Sequence, residues 1–296
     1  MTPQTDTCDP SRVRAEALAC LRALAGEVDG LVVGDEVLHH TDKAIVTAGA
    51  LRGQPVVVKL LTSGDGHWRA RREHEVRVYA GFAADPPAVT APRLLCDHAG
   101  ALTVVSRLSG VRLGEHRFLD HDPGPAVATR LLKAMRAVAA WRPGWAPPGG
   151  DREAIDREHG LGHLSATDAQ AAAALLERCP APVFAHGDVL PTNILLTDTG
   201  VQLVDWEHAD WLLPGYDLAL LDLVAGTASP PLREAIATEV HQSQLAAAFA
   251  VNLALLTARE IRLHTALPEH APERARRLTL LVGQAARASR LLRDLL

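Results

Sequence analysis

Apolar positions follow two different periods along the chain, and the change of period divides it. Over residues 31–38, 44–50 and 55–61, β-branched and other apolar residues crowd into short runs bounded by turn formers, which predicts three strands. Gly53 with Gln54 is expected to turn the second strand into the third. A helix is expected ahead of them, capped by Ser11 and reaching Ala25. Another is expected over 67–82, stopped by Asp85-Pro86-Pro87. Residues 93–97 and 101–106 then read as a hairpin around Gly100.

From Gly124 onward the period becomes helical, over 125–141, 167–178, 216–225, 232–265 with room for a break, and 272–296. The exception is a β-rich island, 193–196 and 201–205, joined by Thr197-Asp198-Thr199-Gly200. Residues 141–150, rich in Pro and Gly, read as a loop, and there is no internal repeat. The pattern predicts an α+β fold in two lobes: a β-rich lobe with one inserted helix over 1–107 and an α-rich lobe over 108–296.

Composition narrows the class. The chain has 296 residues, 48% of them hydrophobic, enough to supply a sizeable core. No segment reaches the length of a membrane span, and residues 1–10 lack a basic start followed by an apolar run, so a soluble, cytoplasmic protein is expected. A net charge of −5 argues against a nucleic-acid partner, which calls for a basic surface. Cys8, Cys20, Cys96 and Cys179 lie far apart without metal-ligand or redox spacing and read as idle thiols. His159 and His163 have one-turn spacing, but no acid or cysteine set completes a zinc site, and Gly160 and Gly162 favour a loop there. Lysine occurs only at Lys43, Lys59 and Lys133, so the position of each matters.

The strongest chemical signal is Phe184-Ala185-His186-Gly187-Asp188-Val189-Leu190-Pro191-Thr192-Asn193, followed after a short hairpin by Leu203-Val204-Asp205-Trp206-Glu207. Phosphoryl transfer from a nucleotide needs a carboxylate to orient and deprotonate the attacking hydroxyl, and oxygen ligands to hold Mg²⁺ against the phosphates. An Asp five residues before an Asn, then a second Asp beyond a hairpin, supplies all three groups. The hairpin is expected to bring Asn193 and Asp205 to neighbouring strand ends, and apolar strands on both sides to bury the frame.

These two motifs, in this order, resemble the aminoglycoside phosphotransferase and choline kinase group of protein-kinase-like enzymes. The resemblance implies the two-lobed kinase-like fold, Asp188 as catalytic base, and Asn193 and Asp205 as Mg²⁺ ligands. It also gives Lys59, at the end of Val56-Val57-Val58, the place of the lysine that pairs with the nucleotide's phosphates, with Glu75 on the next helix to orient it. Glu73 is the rival partner. Thr103-Val104-Val105-Ser106-Arg107-Leu108 resembles the hinge that bonds the base of ATP or GTP, so Ser106 and Leu108 join the nucleotide-binding set, to which Thr41 is also assigned. Asp217 matches the helix-start acid that braces the catalytic loop.

No glycine-rich phosphate loop occurs over 39–47 and no activation segment follows Asp205, which disfavours a protein kinase. The expected acceptor is a hydroxyl of an aminoglycoside, peptide or nucleoside antibiotic. The alternatives are a metabolic kinase of choline, homoserine or a sugar, and a nucleotide-binding pseudokinase. The acceptor pocket is expected between residues 109–168 and the C-terminal helices. Asp151, Glu153, Asp156, Glu158, Asp168, Glu260 and Glu269 would suit a cationic substrate there. The interspersed Arg152, Arg157, Arg259 and Arg262 read instead as a solvated face of mixed charge.

Overall fold

The computed structural model describes residues 10–147, 151–271 and 273–296. Cys8, the rest of the N-terminal stretch, the end of the expected 141–150 loop and Pro272 lie outside the described residues. The chain forms two compact units. One runs up to Pro86 and adds Ala91–Ser109; the other comprises Pro87–Thr90 and Gly110–Leu296.

The first unit contains α1 (Pro10–Ala25), β1 (Leu31–His40), β2 (Ala44–Leu51), β3 (Gln54–Leu61), α2 (Gly66–Ala84), β4 (Leu94–His98) and β5 (Leu102–Ser106). The strands make one antiparallel sheet in the order β1-β2-β3-β5-β4. Successive side chains of a strand point to opposite faces. Val56, Val58 and Leu60 therefore share one face, where they bury with Ile45, Leu102, Val104 and the α1 residues Leu21 and Ala25. Lys59 is left to the other face.

Two expectations need correction here. Helix is already formed at Pro10, so Ser11 lies inside α1 and does not cap it. The β2–β3 turn is Arg52-Gly53, with φ of 51° and 80°, and Gln54 belongs to β3 opposite Leu51. Two central residues in the left-handed region match the right-handed twist of the strands, and only the second is a glycine. Helix α2 is capped by Asp65, whose side chain accepts from the His67 amide at 2.8 Å, and it stops at Asp85, ahead of two prolines that cannot continue it.

In the second unit lie β6 (Val111–Arg112), α3 (Pro125–Ala140), α4 (Asp151–Gly160), α5 (Ala166–Leu176), β7 (Val183–Ala185), β8 (Ile194–Leu196), β9 (Val201–Leu203), β10 (Asp210–Leu212), α6 (Tyr216–Val224), α7 (Pro230–Gln242), α8 (Ala246–Thr265) and α9 (Arg274–Asp294). The expected 232–265 helix is two helices, parted where Gln244 takes a φ of 55°. Helix α8 packs against α6, α9 and α5 and buries Phe249, Val251, Leu253 and Leu256.

His159 sits near the end of helix α4, not in a loop. Gly162, with φ 77°, lets the amides of Gly162 and His163 turn back onto the carbonyls of His159 and Glu158. The glycines end the helix and do not prevent it. Among the described residues no helix is long and apolar enough to cross a membrane. Cys20, Cys96 and Cys179 form no disulfide, and burial pushes the Cys96 and Cys179 thiols up, away from the reactive thiolate.

Candidate active site

In the first unit, the alternation of β3 turns Lys59 toward α2, where Lys59 Nζ lies 3.0 Å from Glu75 Oε2. Glu75 is buried with Val78, Tyr79 and Phe82 on one face of α2, whereas Glu73 is exposed. The other oxygen of Glu75 accepts from the Tyr79 hydroxyl at 3.1 Å. Tyr79, one helical turn from Glu75, thus fixes the rotamer that meets Lys59. Buried Arg72 ties the same helix to the sheet through Asp97 and the Leu102 carbonyl.

Thr41 stands in the β1–β2 turn, its hydroxyl accepting from the Lys43 and Ala44 amides at 3.2 and 3.3 Å. Ser106 pairs with Val56 at the other end of β3, and its hydroxyl accepts from the Arg93 amide at 2.9 Å. Leu108 is half-buried beyond the strand. The sheet therefore brings Lys59 and Glu75 together and keeps Thr41 and Ser106 at opposite ends of β3.

In the second unit, β7 pairs with β10 and delivers His186, Gly187 and Asp188 beyond its end. Asp217, at the start of α6, accepts from the His186 amide at 2.8 Å and from the Gly187 amide at 2.9 Å, one with each carboxylate oxygen. Burial pushes the Asp217 carboxyl up to about 6, and those two amides pull the other way. Gly187 has φ 76°, and a Cβ there would stand 2.2 Å from the His208 carbonyl oxygen, so only glycine fits.

His186 is fully buried, and burial lowers its pKa to about 4, so the ring is neutral at physiological pH. Its Nε2 lies 3.1 Å from the Val204 carbonyl, which requires the proton on that nitrogen; Nδ1 then accepts from the Asp188 amide at 3.3 Å. The ring packs 4.4 Å from Trp206, which stacks on Phe184, and Trp141 meets Phe184 edge-on at 4.6 Å. This aromatic frame, with Trp206 donating to the Leu203 carbonyl, makes the two motif segments one body.

Asn193 closes a 3₁₀ turn (Pro191–Asn193) ahead of β8, and its side-chain amide donates to the Asp188 carbonyl at 3.0 Å and to Asp188 Oδ2 at 3.1 Å. Both ends of the expected 193–196 and 201–205 strands need correction. Asn193 precedes its strand, and Asp205 lies past the end of β9 with φ 66°. The Val204 amide donates to the Asn193 carbonyl at 3.0 Å, so the two residues flank one hydrogen bond. Carboxylate oxygens of Asp205 and Glu207 lie within 4.8 Å of each other. Hard oxygen donors from Asn193, Asp205 and Glu207 suit Mg²⁺.

Asp188 is partly accessible, yet burial pushes its carboxyl up to about 6, with Arg117 and Arg259 opposing and Asp205 and Glu207 adding to the rise. Nothing local in the sequence marks this setting. Glu260 is completely buried, accepting from Arg117 Nε at 2.8 Å and Nη2 at 2.6 Å, so Arg259 and Glu260 are no solvated face. Glu158 is likewise buried beside Arg157 and Arg262. Charge runs carry no signal of burial when the partner lies far away in the chain, as Arg117 does.

The model of the phosphotransferase enzyme family APH matches residues 39–249, a stretch that includes Lys59, Asp188 and Asp205. The chain belongs to that family. Its fold is that of solved aminoglycoside kinases. A thermostable mutant of aminoglycoside phosphotransferase APH(4)-Ia, in ternary complex with AMP-PNP and hygromycin B, aligns with a TM-score of 0.64 at 18% identity, covering 91% of this chain and 97% of that one. Wild-type aminoglycoside 2'-phosphotransferase-IIIa in its GDP complex aligns with a TM-score of 0.64 at 14% identity, covering 92% and 99%. The gentamicin complex of APH(2")-IIa gives 0.55 at 11% identity, covering 98% and 99%. A search of curated protein sequences found no match. Family membership makes this chain a phosphotransferase of protein-kinase-like α+β fold.

Proposed function

We propose that this phosphotransferase moves the γ-phosphoryl group of ATP or GTP onto a hydroxyl of a small molecule, with an antibiotic as the acceptor class. The observation that carries the reading is the Asp188 loop. Its amides are clamped by Asp217, its carboxylate is bonded by Asn193, and hard oxygen donors stand beside it. Asp188 accepts the acceptor's proton as the hydroxyl oxygen bonds to the γ-phosphorus, the bridging oxygen departs with the nucleoside diphosphate, and the charge stays balanced. Lys59, oriented by Glu75, takes the nucleotide's phosphates, and Thr41, Ser106 and Leu108 complete the nucleotide set. Asn193 and Asp205 would hold Mg²⁺, with Glu207 as a further oxygen; the ion supplies positive charge for the phosphate oxygens. The antibiotic class rests on neighbours whose complexes hold hygromycin B or gentamicin.

Asp188→Asn tests the reading because it keeps shape and removes the base. The variant is expected to bind nucleotide as the wild type does in calorimetry and to lose roughly 10² to 10⁴ in turnover. Wild-type turnover should also fall on acidification through about 6, where Asp188 takes up a proton and can no longer act as base. Unchanged turnover in Asp188→Asn would remove Asp188 from the mechanism. A wild type that binds nucleotide and phosphorylates nothing across a broad acceptor panel would be a pseudokinase.

A further inference from the structure

Arg259 and Arg262 lie three residues apart on α8 and share a face of it. Between them Glu260 points inward. Its Oε1 accepts from Arg117 Nη2 and, at 3.3 Å, from Arg259 Nη2, while its Oε2 takes Arg117 Nε. Arg259 Nη1 donates to the Tyr216 hydroxyl at 3.0 Å, one residue before the Asp217 clamp. One carboxylate thus serves two guanidiniums. Among the described residues the Nη1 group of Arg117 and the buried Nε–H of Arg259 have no hydrogen-bond partner. Each of these two side chains stays about a quarter exposed, at 27% and 26%.

The pattern repeats along the helix. Arg262 and Arg157 both donate to Glu158 Oε1, at 3.4 and 3.3 Å, and the other Glu158 oxygen is sealed from solvent. Four guanidiniums therefore face two buried carboxylates. Two of the remaining acids expected to receive a cationic substrate are engaged. Asp168 accepts from the Ser165 and Ser289 hydroxyls, and Asp156 pairs with Arg152. The Arg259 Nε–H is sealed from solvent, so what this wall offers a ligand is the unpartnered Nη1 group of Arg117 and the exposed flank of both guanidiniums, within range of Asp188, whose carboxyl both Arg117 and Arg259 stabilise in ionised form. A planar guanidinium pair of this kind suits an oxyanion, and a polyammonium ligand would meet repulsion.

We propose that Arg117 and Arg259 form an anion subsite, so that the acceptor carries a carboxylate or phosphate-type oxyanion beside the hydroxyl presented to Asp188. The acceptor part of this inference rests on the kinase reading above. It narrows the acceptor to an acidic molecule, of peptide, nucleoside or hydroxy-acid type, and away from aminoglycosides.

Sulfate is the probe for the subsite, with Mg·ADP saturating so that nucleotide-phosphate contacts are occupied. Thermal shift should show a saturable sulfate response in the wild type. The half-saturating concentration should rise at least about tenfold in Arg259→Gln and in the double variant Arg117→Gln/Glu260→Gln, the latter chosen so that no carboxylate is left buried and unpaired. An unaltered sulfate response in both folded variants overturns the subsite. In parallel, turnover is measured with phosphorylated nucleosides, N-acyl hydroxy-amino acids and their methyl esters, kanamycin and hygromycin B. Preference for the acids over their esters supports the inference, and preference for the aminoglycosides overturns it while leaving the kinase reading intact. A sulfate response lost in the variants without turnover of any acceptor would keep the subsite and sink the kinase reading.

Discussion

Lys59 in the first unit and Asp188 in the second are each governed by another carboxylate, by opposite means. Glu75 meets Lys59 side chain to side chain, one charge against another, from a helix packed on the sheet. Asp217 never touches the Asp188 carboxylate; it grips the backbone amides of the two preceding residues and so fixes where the chain turns. A side-chain pair can adjust by a rotamer when a neighbour changes. A backbone clamp on a glycine with a left-handed φ has no such freedom, so the two sites should differ in how steeply they fail.

Gly187→Ala should give the largest effect. The new Cβ meets the His208 carbonyl and a φ of 76° at once, and the backbone clamp leaves no room for either. A loss of at least about 2 kcal/mol in urea unfolding is expected, with turnover lost as well. A variant as stable and active as the wild type would show that the loop adapts, and the contrast would collapse.

Lys59→Ala should come next, lowering kcat/KM for the nucleotide by roughly 10- to 100-fold, the worth of a charge-assisted contact. Folding should persist because Lys59 lies on the sheet face opposite the α1 core. Steady-state kinetics with nucleotide varied would check this, with Lys43→Ala as the control, since Lys43 Nζ sits 3.5 Å over the Trp68 ring. Wild-type kinetics for Lys59→Ala together with a loss in Lys43→Ala would reassign the phosphate-binding lysine.

Tyr79→Phe should be mildest. It removes one hydroxyl from Glu75 and leaves the Lys59 pair in place, at a cost of about 1 kcal/mol in thermal or urea unfolding. A kinetic defect as large as that of Lys59→Ala would mean that the rotamer of Glu75, and not its charge, governs the first site.

The same contrast explains what could be read from the sequence. β3, α2 and the Asp188–Asn193 segment were legible because each is set by local periodicity or by a motif a few residues long. Lys59 and Glu75 are 16 residues apart, and alternation on a strand followed by a helix face is enough to join them. Arg117 and Glu260 are 143 residues apart, and nothing local to either predicts the pair. The exposed charge run expected around Arg259 and Glu260 failed for that reason. Helix α4 was missed because glycines that terminate a helix look, in sequence, like glycines that forbid one. The Arg52-Gly53 turn slipped by one residue because an arginine, not a second glycine, takes the first left-handed position.

Asn252 is buried and bonds backbone alone. From the middle of α8 its side chain donates to the Leu213 and Pro214 carbonyls, at 3.2 and 3.1 Å, just ahead of the Tyr216–Asp217 corner. Two turns further along the same rod, about 10 Å away at the rise of a helix, stands Arg259, and Arg262 follows nearly one turn beyond it. One helix thus holds the chain ahead of the catalytic loop with one half and carries the paired guanidiniums on the other. Arg259 still reaches back to that corner through the Tyr216 hydroxyl, whereas Arg262 turns to Glu158, so a library randomised at 262 but frozen at 252 and 259 would alter what the far end presents and leave the catalytic loop's supports in place.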